Sequence, residues 1–224
     1  MTTSFTRVLM VLGVVLLATG CAGGPKPRDV DYTAFKESNP RSIVVLPPLN
    51  ETQDIKATDS VLSLAAYPLA ESGYYVLPVA LVEKTFNDNG LTSPSDIQAV
   101  DPAKLRHIFG ADAALYLTVT DYGAKYLVAG SVIVVTVTAK LVDIRTGSTL
   151  WVGKASANSD EGNNNSGGGL IGMLVTAAVK QVLNSSTNAG RKVAVVATNR
   201  LLSADVEGGV LYGPRYPKPA SEQP

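Results

Sequence analysis

The spacing of apolar positions changes period along this chain and divides it into parts. Val8 to Leu17 is an unbroken apolar run behind one basic residue, Arg7. It is too short to span about 30 Å of hydrocarbon as a mature helix, so it reads as an export signal. Residues 22–41 carry Gly, Pro and charge without a period and predict a tether, with Tyr32 and Phe35 as its contacts to the body. Ser42 to Leu46 is continuously apolar, the pattern of a parallel strand covered on both faces, and Pro47-Pro48 ends it.

From Thr58 to Ser72 the apolar residues Val61, Leu62, Ala65, Ala66, Leu69 and Ala70 recur at helical spacing. Pro68 is expected to kink or divide this helix, and Gly73 to stop it. With a short strand at Tyr74–Leu77, residues 42–79 make one right-handed strand-helix-strand unit. Helices are predicted from Ala80 to Phe86, after Ser93-Pro94, and from Ala103 to Phe109. The last follows Asp101-Pro102, a cap residue before a proline suited to the first turn.

Strand period then takes over, with strands at Ala113–Asp121, Ser131–Asp143 and Thr149–Ala157. In the middle one Ile133, Val135, Val137, Ala139 and Leu141 face one side, with Thr136, Thr138 and Lys140 on the other. Arg145-Thr146-Gly147-Ser148 is a turn, and Asp143 with Arg145 reads as an ion pair beside it. Leu127 to Val137 is apolar enough to suggest a membrane hairpin, but its alternation decays into charge at Lys140 and Asp143, which favours a core strand. Asn163 to Gly169 is a loop. Leu170 to Leu183 is an unusually apolar helix that packs on the sheet; Leu170, Ile171, Met173 and Leu174 are in addition a candidate interface with a second copy or a partner. A last helix covers Ala189–Leu202, and residues 206–224 form an extended, proline-rich tail. The predicted architecture is one α/β domain of mixed α+β character at 42–205, a mixed five-stranded sheet flanked by helices.

Composition narrows the chemistry. The signal holds a single charge, so the mature chain carries 18 basic against 19 acidic residues, and nothing in its electrostatics favours nucleic acid. Cys21 is the only cysteine, which excludes an internal disulfide. His107 is the only histidine, which removes most zinc sites and disfavours a triad; a structural role suits it better. Asp160-Glu161 could pose as paired carboxylates, but neighbours in a strand point to opposite faces, and beside Asn and Gly they read as a solvated turn. After Gly169 a phosphate loop would need lysine and then serine or threonine, and Leu170-Ile171 stand there. No catalytic set, metal site or cofactor is predicted, and the chain reads as non-enzymatic, with an envelope hydrolase as the lesser alternative.

Leu17-Ala18-Thr19-Gly20-Cys21 resembles the lipobox of bacterial lipoproteins, with Ala18 where an aliphatic residue is usual. Cleavage between Gly20 and Cys21 and acylation of Cys21 are implied; an ordinary signal peptide and an uncut anchor are the competing readings. Ala22, rather than aspartate, resembles the signal for outer-membrane delivery. Together with Ile43 to Glu51, Leu117 to Tyr122 and Asp143 to Trp151, the lipobox resembles a family of bacterial lipoproteins of unknown function, first known as a neisserial vaccine-candidate antigen. The likeness runs from about residue 30 to 213. More distantly the pattern is similar to the amino-terminal domain of TolB and the globular part of CsgG, the curli secretion lipoprotein, without the pore-forming hairpins of CsgG. The resemblance implies a TolB-like sheet flanked by helices, and a periplasm-facing outer-membrane role beside other envelope lipoproteins or secretion components. A homodimer fits as well, and binding of lipid or peptidoglycan in an apolar groove is the alternative function.

Overall fold

Val44 and Leu46 point to one side of the first strand and Ile43 and Val45 to the other, and all four are fully buried, because helices cover both faces there. The computed structural model describes residues 30–127, 130–161 and 189–217. Its elements are α1 (Thr33–Ser38), β1 (Ser42–Val45), β2 (Leu49–Asn50), α2 (Ala57–Glu71), β3 (Tyr75–Val76), α3 (Val79–Asp88), α4 (Pro94–Gln98), α5 (Pro102–Phe109), β4 (Ala113–Leu127), β5 (Gly130–Asp143), β6 (Thr149–Asn158) and α6 (Ala189–Leu202).

The sheet runs β3-β1-β4-β5-β6, with β2 also paired to β4. β1 lies parallel to both β3 and β4, and β4, β5 and β6 form the expected antiparallel meander. The fold is therefore the predicted mixed sheet flanked by helices, with six strands rather than five. The added strand is β2: Pro47-Pro48 interrupts the ladder, since neither residue has an amide hydrogen to give, and Leu49–Asn50 resumes pairing with β4 at Thr118 and Val119.

Two cores flank the sheet. One packs α1, α2 and α6 through Phe35, Leu69 and Val193 onto Leu115, Leu117, Val137 and Trp151. The other packs α3, α4 and α5 through Phe86, Ile97 and Leu105 onto Val44 and Ala114. Ser93 and Asp101 cap α4 and α5 by accepting from the amides of Asp96 and Ala103, with proline at the first turn in both.

Three expectations are corrected. Pro68 does not divide α2, which runs whole from Ala57 to Glu71; sitting in the final turn, the proline removes one bond close to the helix end. The body begins near Val30 rather than residue 42, because Tyr32 and Phe35 are built into the first core and Phe35 is buried. Residues 206–217 are not a free tail. Val210 is buried, Trp151 Nε1 donates to the Gly208 carbonyl at 2.9 Å, and Gly213 N donates to Ser72 O at 2.7 Å. The predicted loop at 163–169, the helix at 170–183 and the tail beyond Pro217 lie outside the described residues.

Candidate functional site

The β4–β5 ladder runs from Ala113↔Asp143 to Leu127↔Gly130, further than the strands beside it. β2 leaves β4 at Val119, and β6 leaves β5 at Val134, where Ser159 seals the edge through bonds to Ile133 at 2.9 and 3.0 Å. Among the described residues, the last four pairs, from Ala124↔Ile133 onward, have no strand on either side. They form a two-stranded arm that extends about 13 Å past the sheet at 3.4 Å per residue. Such a ribbon is marginal by itself in water.

The root of the arm is fixed. Tyr122 Oη donates to Ser60 Oγ at 3.0 Å, its ring lies against Gly190, and Lys125 pairs with Asp121 at 2.5 Å. That bond from Lys125 is the main cause holding the Asp121 carboxyl below its ordinary pKa. Further out the arm presents Ala124, Lys125 and Tyr126 to solvent, Tyr126 with 88% of its surface exposed.

Beside the root, one sheet face continues past the cover of α3–α5. Thr118, Thr120, Thr136 and Thr138 share it with Lys140, Val152, Lys154 and Ser156, a row of hydroxyls edged by lysines. Thr136 Oγ1 and Ser156 Oγ are 3.0 Å apart, Lys140 Nζ stands 5.1 Å from the Tyr116 ring centroid, and Val152 is 61% exposed. Arm and face form one continuous surface at the upper half of the sheet.

The residues singled out from sequence fall elsewhere. Gly20 and Cys21 lie outside the described residues, as do Leu170, Ile171, Met173 and Leu174. His107 is exposed in the last turn of α5, not held in a structural network as expected. Glu161 pairs with Arg200 at 2.8 Å and accepts from Asn158, so it closes the turn after β6 while Asp160 is exposed. Asp143 and Arg145 do form the expected ion pair, at 2.7 Å. Burial raises the Asp143 pKa, but bonds from Arg145 and Ser38 outweigh it and hold the carboxyl at about 2. Its partners are all intramolecular, and its task is to pin α1 to the β5–β6 turn. Among the described residues no three histidine, cysteine or acidic side chains converge as a metal site. The arm lies between the strands expected at Ala113–Asp121 and Ser131–Asp143, although the alternation of Tyr122, Ala124 and Tyr126 continues the strand.

A helix-flanked mixed sheet with a projecting β-arm lies downstream of a short apolar run and the single cysteine. The chain belongs to the family described as Putative lipoprotein GNA1162-like, whose model matches residues 30–215. It is 50% identical over 217 residues, 97% of this chain and 98% of the other, to a Neisseria meningitidis serogroup B protein described as Putative lipoprotein NMB1124/NMB1162. It is also similar to the crystal structure of lipoprotein GNA1162 from Neisseria meningitidis, at 54% identity and TM-score 0.53, over 65% of this chain and 100% of that one. The LpoB C-terminal domain from Salmonella enterica matches at 19% identity and TM-score 0.38, over 65% of this chain and 90% of that domain. The family resemblance read from the residues is thus borne out, and the chain is a membrane-anchored lipoprotein of the envelope.

Proposed function

We propose that this lipoprotein is a non-enzymatic accessory component of an envelope export or assembly complex. It is held at the periplasmic side of the outer membrane by acylated Cys21 and engages another envelope protein through the β4–β5 arm and the adjoining hydroxyl-lined face. The observation that carries this reading is the arm: a rigidly rooted ribbon that leaves Tyr126 almost wholly in solvent has stability to gain from a partner. The resemblance to the globular part of CsgG supports an export apparatus as the setting. Leu170, Ile171, Met173 and Leu174 are the proposed contact between two copies.

A groove for lipid or peptidoglycan is less well supported. A cavity of about 190 Å³ between α1 and the C-terminal segment, lined by Phe35, Lys36, Asn39, Tyr74 and Tyr212, is smaller than the roughly 300–1,000 Å³ typical of ligand pockets. The test is a photo-crosslinking residue introduced at Tyr126 in living cells, with Tyr67, exposed on α2, as the control position. The expected result is one discrete protein adduct from position 126 and none from 67. Equal or absent adducts at the two positions would remove the arm as the docking element.

A further inference from the structure

The end of the sheet opposite the arm is where the N-terminal segment enters the body. Val30 packs against Gly208, and α1 shares a cavity with Tyr74 and Tyr212. Around that entry stand three tyrosines exposed over about half of their surface or somewhat less: Tyr75 at 52%, Tyr212 at 49% and Tyr216 at 39%. Tyr212 and Tyr216 are paired with ring centroids 4.0 Å apart, and the Arg215 guanidinium lies 5.5 Å from the Tyr75 centroid. The cluster is rigidly held, because Arg215 N donates to Gly73 O at 3.2 Å and Tyr75 N to Arg41 O at 2.9 Å. Lys36 and Arg41 are exposed beside it.

Rings with a polar tip, mixed with long cationic side chains, are the composition that settles at the boundary between headgroups and acyl chains. The length of chain to the anchor selects the same occupant. Eight residues separate Cys21 from Val30, so fully extended they reach about 30 Å. The ladder from Asp143 to Gly130 is longer, about 45 Å at 3.4 Å per residue.

We propose that the tyrosine and arginine face at the tether end is a membrane-interface contact, seated on the headgroups of the leaflet that holds the Cys21 acyl chains, so that the β-arm points away from that membrane. This rests on the lipidation of Cys21 stated above. The contact rests on the three tyrosine rings more than on Arg215, Lys36 and Arg41, so high salt leaves it in place.

The test uses the native lipidated protein in phosphatidylethanolamine and phosphatidylglycerol vesicles, with a fluorophore on a cysteine introduced as Glu37→Cys or Tyr126→Cys, and lipids spin-labelled at the headgroup as quencher. Quenching several-fold stronger at position 37 than at 126, unchanged by high salt, is expected. Serine at Tyr75, Tyr212 and Tyr216 together reduces the signal at 37 to that at 126, and tryptophan at the same three positions restores it. Equal or reversed quenching in protein that floats with the vesicles overturns the proposal, as does crosslinking of this face to a second copy. Protein that fails to float overturns the lipidation itself, a distinct result.

Discussion

Tyr32 donates a hydrogen bond to the carbonyl of Gly209 at 2.6 Å, joining segments 177 residues apart in the chain. The segment that enters the body at Val30 and the segment that closes the C-terminal side thus form one structure at the base of the sheet. Replacing Tyr32 by Phe removes that bond and keeps the ring. A net hydrogen bond contributes about 1 kcal/mol, so thermal unfolding should fall by about 2–4 °C, while Phe35 keeps α1 in place.

Gly73 and Tyr216 form the second clasp at this end. Gly73 has φ +92°, and a Cβ there would stand 2.3 Å from Tyr216 N. Gly73→Ala is expected to cost about 1–3 kcal/mol through the backbone alone. Hydrogen exchange checks the mechanism: the amides of Gly213 and Arg215 should lose protection before those of the central sheet.

Asp143 makes stability depend on acid in a defined direction. Its folded pKa, about 2, lies below the ordinary 3.8, so the unfolded chain takes up a proton first as pH falls. The contribution is full above about pH 4 and is lost between about pH 4 and 2. Asp143→Asn should lower stability near neutral pH by about 2 kcal/mol, because Arg145 and Ser38 lose a charged acceptor. Denaturant midpoints of the native protein and the Asp143→Asn variant, measured across this range, should converge as pH falls.

Gly153 lies under the Trp151 ring, where a Cβ would come within 2.2 Å of it. Gly153→Ala must push the indole off its site and should cost about 1–3 kcal/mol. The emission of this single tryptophan should shift as its bond to the Gly208 carbonyl breaks. Val152→Ala, one residue away and exposed, should stay within about 0.5 kcal/mol of the native protein.

Tyr126→Ser separates docking from folding. With 88% of its surface in solvent, the side chain gives little to the fold, and stability should change by less than about 0.5 kcal/mol. Adducts formed from a crosslinker placed at nearby Lys125 should nonetheless fall sharply in cells.

Much of the fold was legible where periodicity is set by burial. Ser42–Leu46 read as covered on both faces because helices do lie on both, and the alternation from Ile133 to Leu141 marked one core face against a hydroxyl face. Legibility failed where tertiary contacts, not period, make the structure. β2 has two residues behind two prolines, too short for any period to register. Residues 206–217 are rich in Gly and Pro, and tertiary bonds to Tyr32, Ser72, Gly73, Tyr74 and Trp151 give them a fixed course. The proposed docking surface was least legible, since a polar row such as Thr118, Thr138, Lys140 and Lys154 has the same pattern whether or not a partner covers it.

The proposed orientation of the body at the membrane depends on the covalent state of residue 21. Intact mass measurement of the protein extracted from its native envelope, followed by its N-terminal peptide, examines that directly. Cleavage after Gly20 with a diacylglyceryl thioether and an acylated amine on Cys21 is the predicted result. A mature chain with a free Cys21 thiol, or one that begins beyond residue 21 and leaves the membrane without detergent, would contradict it.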